Sequence, residues 1–144
     1  MTARTKAATA RTVGIVPPPD AVRVGGEIRD QLITLKRRTG VMNWNVLCRW
    51  ALCRSLSEPT APSNLPSSGE ATVEMTWKTF AGSAGDIYWW LVKQHTLALG
   101  LPLDEHTLSA QLRAHITRGT QYLVGDPNMK DTQDLVALIP REQP

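Results

Sequence analysis

Residues 44–57, WNVLCRWALCRSLS, constrain the fold of this chain more than any other stretch. Asn43 can cap a helix there by accepting a hydrogen bond from a first-turn amide. The apolar side chains Val46, Leu47, Trp50, Ala51, Leu52 and Leu56 then spread over most of the helix circumference. A helix that is apolar nearly all round cannot lie on the surface of a small monomer. It is either the central helix of the core or part of an interface between copies. Cys48 and Cys53 share this helix and are separated by about 140° around its axis. They cannot pair without breaking the helix, and free buried thiols fit a reducing cytoplasm. Each reads as a structural thiol rather than a nucleophile, because the helix is too apolar to depress a thiol pKa, even with Arg49 and Arg54 beside them in sequence.

The rest of the chain supplies one domain around that helix. Its 144 residues are a single-domain length, and 42% hydrophobic against 20% charged is a globular balance. No apolar run reaches the roughly 18–20 residues needed to cross a membrane. Residues 1–20 read as a flexible basic tail, since Pro17–Pro19 block a helix and no apolar period precedes them. The tail lacks the apolar segment of a secretory signal; its composition also imitates an organelle transit peptide, but a disordered basic arm is the simpler reading. Ala21–Val24 (AVRV) alternates as a short strand. A helix is predicted from Glu27 to Arg38, with Ile28, Leu32 and Leu35 inward and Gly40 as its stop.

After the central helix, residues 58–70 (EPTAPSNLPSSGE) form a loop rich in Pro and Ser, and Thr72–Phe80 alternates as a second strand. A third helix runs from Gly82–Ser83 to Leu99, with Ile87, Trp90, Leu91, Gln94 and Leu97 inward and Trp89, Lys93 and Thr96 opposite. Asp104 caps a fourth helix that carries Leu108, Leu112 and Ile116 inward and ends at Gly119. Residues 125–144 are expected to be loosely ordered.

Catalytic templates fail. The sequence has no GxSxG, GxGxxG, Walker loop or HExxH. His95, His106 and His115 have no ligand spacing to one another or to the cysteines, so structural roles are expected for all three and no metal site is predicted. Asp104 and Glu105 are explained by capping and the helix dipole. The chain is therefore expected not to be an enzyme and to need no cofactor.

Charge is the remaining signal. The net charge is +3, but residues 1–57 carry ten bases and three acids, whereas residues 58–144 carry six bases and ten acids. Lys36, Arg37 and Arg38 close the first helix, where the dipole alone would favour them. Together with Arg23, Arg29 and the tail's Arg4, Lys6 and Arg11, they also suit phosphate neutralisation. A strand with an outward base, followed by two helices of which the second is apolar all round, is the order of a ribbon-helix-helix unit. Such units dimerise through their strands and lay a two-stranded ribbon in a major groove. The fold class expected is mainly α: a ribbon-helix-helix-like core with additional C-terminal helices, in an oligomer.

The stretch Gln31–Leu56, QLITLKRRTGVMNWNVLCRWALCRSL, resembles the DndE family, the small subunit of bacterial DNA sulfur-modification (phosphorothioation) systems. Glu58–Pro59, MTWKTFAG at Met75–Gly82 and HITRG at His115–Gly119 add to it, so that the resemblance covers residues 21–124, with 58–70 as an insertion. It implies a mainly helical protein that self-associates as a homotetramer and works beside larger sulfurtransferase-like and ATPase subunits in the cytoplasm. It further implies a non-catalytic, DNA-binding and assembly role in this restriction-modification-like chemistry, on double-stranded DNA, nicked duplex included. Carried over, Lys36, Arg37 and Arg38 contact the phosphate backbone; Arg23 is added from the ribbon geometry, and Trp44, Leu47, Trp50 and Ala51 are assigned to the core or an interface. The alternative is a sequence-specific regulator of the ribbon-helix-helix type, which needs base-reading side chains on the strand. A pure scaffold, docking a basic partner through the acidic C-terminal part, is the reading from a third class.

Overall fold

A computed structural model describes residues 16–63 and 71–140. The expectations for most of the basic tail, part of the 58–70 insertion and residues 141–144 lie outside the described residues. The elements are β1 (Ala21–Gly25), α1 (Gly26–Thr39), α2 (Trp44–Leu56), β2 (Ala71–Thr76), α3 (Trp77–Ala81), a short 3₁₀ turn (Gly82–Ala84), α4 (Gly85–Ala98), α5 (Glu105–Gly125) and α6 (Thr132–Val136). The chain is mainly α-helical, as expected.

α2 is the central helix. Leu47, Cys48, Ala51, Leu52 and Ser55 are buried, and the long helix α5 crosses it. Gly119 makes that crossing possible: a Cβ there would overlap the carbonyl group of Ala51. Sequence reading takes Gly119 as a helix stop, but α5 continues through it to Gly125. The missing side chain serves a close backbone approach instead of a terminus. Asn43 precedes α2 as expected, but without a side-chain cap; its carbonyl accepts from Val46 and Leu47.

β1 does not await a second copy. It pairs antiparallel with β2 of the same chain, Ala21 opposite Thr76 and Val24 opposite Val73. Val22, Val24 and Val73 face the core, while Arg23 and Glu74 form an exposed ion pair at 3.3 Å on the outer face. The ribbon of the expected ribbon-helix-helix order is thus built within one chain. β2 also ends earlier than its alternation suggests. Thr76 accepts a cap hydrogen bond from Thr79 N–H, which starts α3, and Trp77 N–H donates to the Asp20 carbonyl, which closes the ribbon.

α4 is rotated relative to the sequence expectation. Trp89, Val92 and Thr96 are buried, whereas Ile87, Trp90 and Leu97 are 61%, 57% and 56% exposed. Apolar residues occur on both sides of this helix, so periodicity does not choose between them. The aromatic cluster of α3 does: Trp77 packs against Phe80 and edge-on against Trp89, with ring centroids 5.3 and 5.7 Å apart. Trp89 also donates its indole N–H to the Val16 carbonyl (2.8 Å). Thr96 is buried at little cost because its hydroxyl donates to Val92 O.

The stretch after Gly125, expected to be loosely ordered, carries α6. Met129 and Leu135 are buried in the core, and Asp131 caps α6 by accepting from Gln133 N–H. No helix among the described residues is long and apolar enough to cross a membrane.

Candidate nucleic-acid interface

Phosphate recognition needs cations that are exposed and not already satisfied by carboxylates. The structure sorts the bases by this criterion. Arg37 and Arg38 are exposed and Lys36 is half-buried, all in the last turn of α1. That turn stops where the sequence places it: Gly40 adopts φ +74° and donates its N–H to Lys36 O, the left-handed cap that glycine accepts without strain. Lys36 and Arg37 have no carboxylate partner among the described residues. Arg38 is partly engaged, donating from Nη1 to the Val124 carbonyl (2.9 Å) at the end of α5. Arg29 is also exposed on α1.

Three other bases are engaged by neighbouring groups, whereas Arg49 and the exposed Lys78, Arg113 and Lys130 have no ion pair among the described residues. Arg23, an expected contact residue, points outward as predicted but is paired with Glu74 across the ribbon, so that face is locally neutral. Arg54 pairs with Glu58 at 3.0 Å and lies over the Tyr122 ring. Arg118 is buried and has no carboxylate partner among the described residues. Its guanidinium donates to the Ser55 hydroxyl (2.8 Å) and carbonyl (2.7 Å) and to the Thr60 carbonyl (2.8 Å), fastening the chain that leaves α2 onto α5.

Arg118 belongs to a polar cluster that sequence spacing does not reveal. His95 on α4 and His115 on α5 meet edge-on, with ring centroids 4.4 Å apart. His95 donates from Nε2 to the Glu58 carbonyl (2.6 Å), and His115 Nδ1 lies 2.8 Å from Ser55 Oγ. Ser55 Oγ has two lone pairs and accepts from Arg118, so its contact with His115 Nδ1 fits either ring tautomer, and His115 Nε2 has no hydrogen-bond partner among the described residues. Burial, then the neighbouring His95 and Arg118, push the His115 pKa down to about 3. The expected isolation of the histidines therefore holds in sequence but fails in space. Two separate helices bring them together, and no one-helix signal could have found the pair. The cluster braces the α2 terminus; it has no opening to solvent at His115, which is fully buried.

Nucleophile chemistry finds no support at the thiols. Cys48 is buried, and desolvation pushes its thiol up to about 12. Cys53 is free too, but exposed rather than buried as expected. Among the described residues, no group of three or more His, Cys, Asp or Glu side chains is placed to hold a metal ion.

No curated protein matches the chain. Among solved structures, DndE from Escherichia coli B7A, described as involved in DNA phosphorothioation modification, superposes with a TM-score of 0.62 at 23% identity, covering 75% of this chain and 99% of that one. A glycine-to-lysine mutant of DndE, involved in DNA phosphorothioation, gives 0.60 at 21% identity with the same coverage. These likenesses show a shared fold. The model of the family described as DNA sulphur modification protein DndE matches residues 21–131, which include β1, the whole basic turn of α1 and the α2–α5 crossing, and the chain belongs to the DndE family.

Proposed function

We propose that this chain is a non-catalytic, cytoplasmic subunit of a DNA phosphorothioate-modification complex, which contacts the DNA backbone through the C-terminal turn of α1. The carrying observation is the pair Lys36 and Arg37: adjacent cations on one helix end, beside Arg38 and without carboxylate partners among the described residues. Backbone contact of this kind positions a protein on duplex DNA without reading its sequence. Larger sulfurtransferase-like and ATPase subunits supply the chemistry in this reading, and no cofactor is needed here. Lys36→Glu with Arg37→Glu is expected to weaken binding to intact or nicked duplex at least tenfold at low salt, measured by fluorescence anisotropy. Unchanged affinity would reject the site. The regulator reading has less support, because the outward base of β1 is held by Glu74.

The same proposal includes a homo-oligomer, with a tetramer as the expected state. α2, the interface candidate from sequence, is enclosed by its own chain, so it no longer demands a second copy. Among the exposed apolar residues, which also include Met42, Val136 and Ile139, three share one helix: Ile87, Trp90 and Leu97 on α4. Exposed apolar side chains on one helix face are the ordinary substrate of association. Ile87→Asp with Trp90→Glu is expected to reduce the mass measured by light scattering without loss of helicity; an unchanged mass would move the interface elsewhere.

A further inference from the structure

Two helix ends meet beside the proposed phosphate site, and each completes the other. The last four carbonyls of an α-helix lack intrahelical donors, and that end carries partial negative charge. α5 has no base in its own last turn. Arg38, from the end of α1, donates to Val124 O there at 2.9 Å and brings a full positive charge to the dipole's negative end. Conversely, the last residue of α1, Thr39, has its carbonyl capped from the C-terminal segment: Thr132 Oγ1 donates to Thr39 O at 2.7 Å.

Thr39 is fixed on its other side as well. Its buried hydroxyl donates to Leu35 O (2.7 Å) and accepts from Val41 N–H (3.2 Å). The segment that delivers Thr132 is itself anchored, with Met129 and Leu135 in the core and Lys130 N–H donating to the Asp134 carboxylate (2.8 Å).

Resting on the phosphate-contact reading of α1, we propose that Asp126–Val136 is a brace for the DNA-facing turn, and that Arg38 and Thr132 are positioning residues of this brace while Lys36 and Arg37 meet phosphate. The physical basis is preorganisation. A helix end frays unless its carbonyls are satisfied, and cations on a frayed turn lose ordering entropy when they bind. Holding Thr39 from two sides removes that cost before DNA arrives. It also explains why the cluster of three bases is not used uniformly: Arg38 serves the α1–α5 junction.

The test uses the full chain and an intact DNA duplex, with affinity measured across a salt series. Each phosphate contact contributes about one unit to the slope of log affinity against log salt. Lys36→Gln and Arg37→Gln are each expected to flatten the slope by about one. Arg38→Gln is expected to weaken binding with the slope unchanged. Thr132→Val, which alters no charge and lies outside the basic turn, is expected to weaken binding by about three- to tenfold, again at constant slope, and Thr132→Ser to restore it. A slope flattened by Arg38→Gln makes Arg38 a phosphate ligand and overturns its place in the brace. Undiminished affinity in Thr132→Val overturns the brace altogether, with Lys36→Gln and Arg37→Gln still reporting the site. If those two variants change neither slope nor affinity, the site reading falls, and the brace with it.

Discussion

Replacing Gly119 by alanine is expected to cost about 3 kcal/mol of unfolding free energy, a large share of the stability of a domain this size. Alanine is the better helix former by up to about 1 kcal/mol, so intrinsic propensity alone predicts stabilisation. The crossing of α5 over α2 reverses the sign. The added methyl would meet the carbonyl of Ala51, which is backbone and cannot rotate aside. Relief requires the two helices to separate, and that opens contacts of Leu47, Leu52, Leu112 and Ile116, all fully or almost fully buried. Urea unfolding followed by tryptophan fluorescence would measure the loss. A change below about 1 kcal/mol would mean that the crossing yields easily and is not a fixed point of the fold.

Acid should act on the same helix pair through His115. Its pKa in the folded chain is about 3, below the ordinary 6.5, so the unfolded chain binds the proton more readily between those two values. The stabilisation is complete above about pH 6.5 and is lost progressively as pH falls toward 3, at up to about 1.4 kcal/mol per pH unit. The cause is local. The charged ring would carry an Nε2–H that has no acceptor and would place a second cation beside the Arg118 guanidinium, with no carboxylate paired to either among the described residues. Unfolding free energies at pH 7 and pH 5 sample this group while ordinary carboxylates are still mostly ionised, and a variant at His115 separates it from the other two histidines. His115→Asn, whose amide oxygen can accept from Ser55 but does not titrate, should flatten the dependence. Identical pH profiles for the two proteins would remove His115 as its source.

Much of the candidate site is readable along the chain, because the signals that define it are local. The stripe Ile28, Leu32 and Leu35, with Gly40 behind it, locates α1 and puts Lys36–Arg38 on its last turn. What the chain conceals is set by distant neighbours. α4 carries apolar residues on both sides, and only the Trp77–Phe80 cluster decides that Trp89 goes in and Trp90 stays out. Gly119 reads along the chain as a helix stop, and only α2 lying against it reveals it as a point of close contact. The fate of the bases is hidden in the same way. Arg23 meets Glu74 and Arg38 meets Val124 only after strands or helix ends far apart in sequence have come together.

The β1–β2 ribbon has a consequence for the order of assembly. Arg23 and Glu74, which face each other across it, are 51 residues apart, with the whole α1–α2 hairpin between them. Helical turns form from neighbours within microseconds, whereas a pairing of this span pays its loop-closure entropy before any ladder bond is gained. On a chain emerging from the ribosome, β1 is therefore made early and completed late. Its inward valines wait on α1, and the arrival of Val73 and Glu74 closes the ribbon before α5, the helix that crosses α2, has been made.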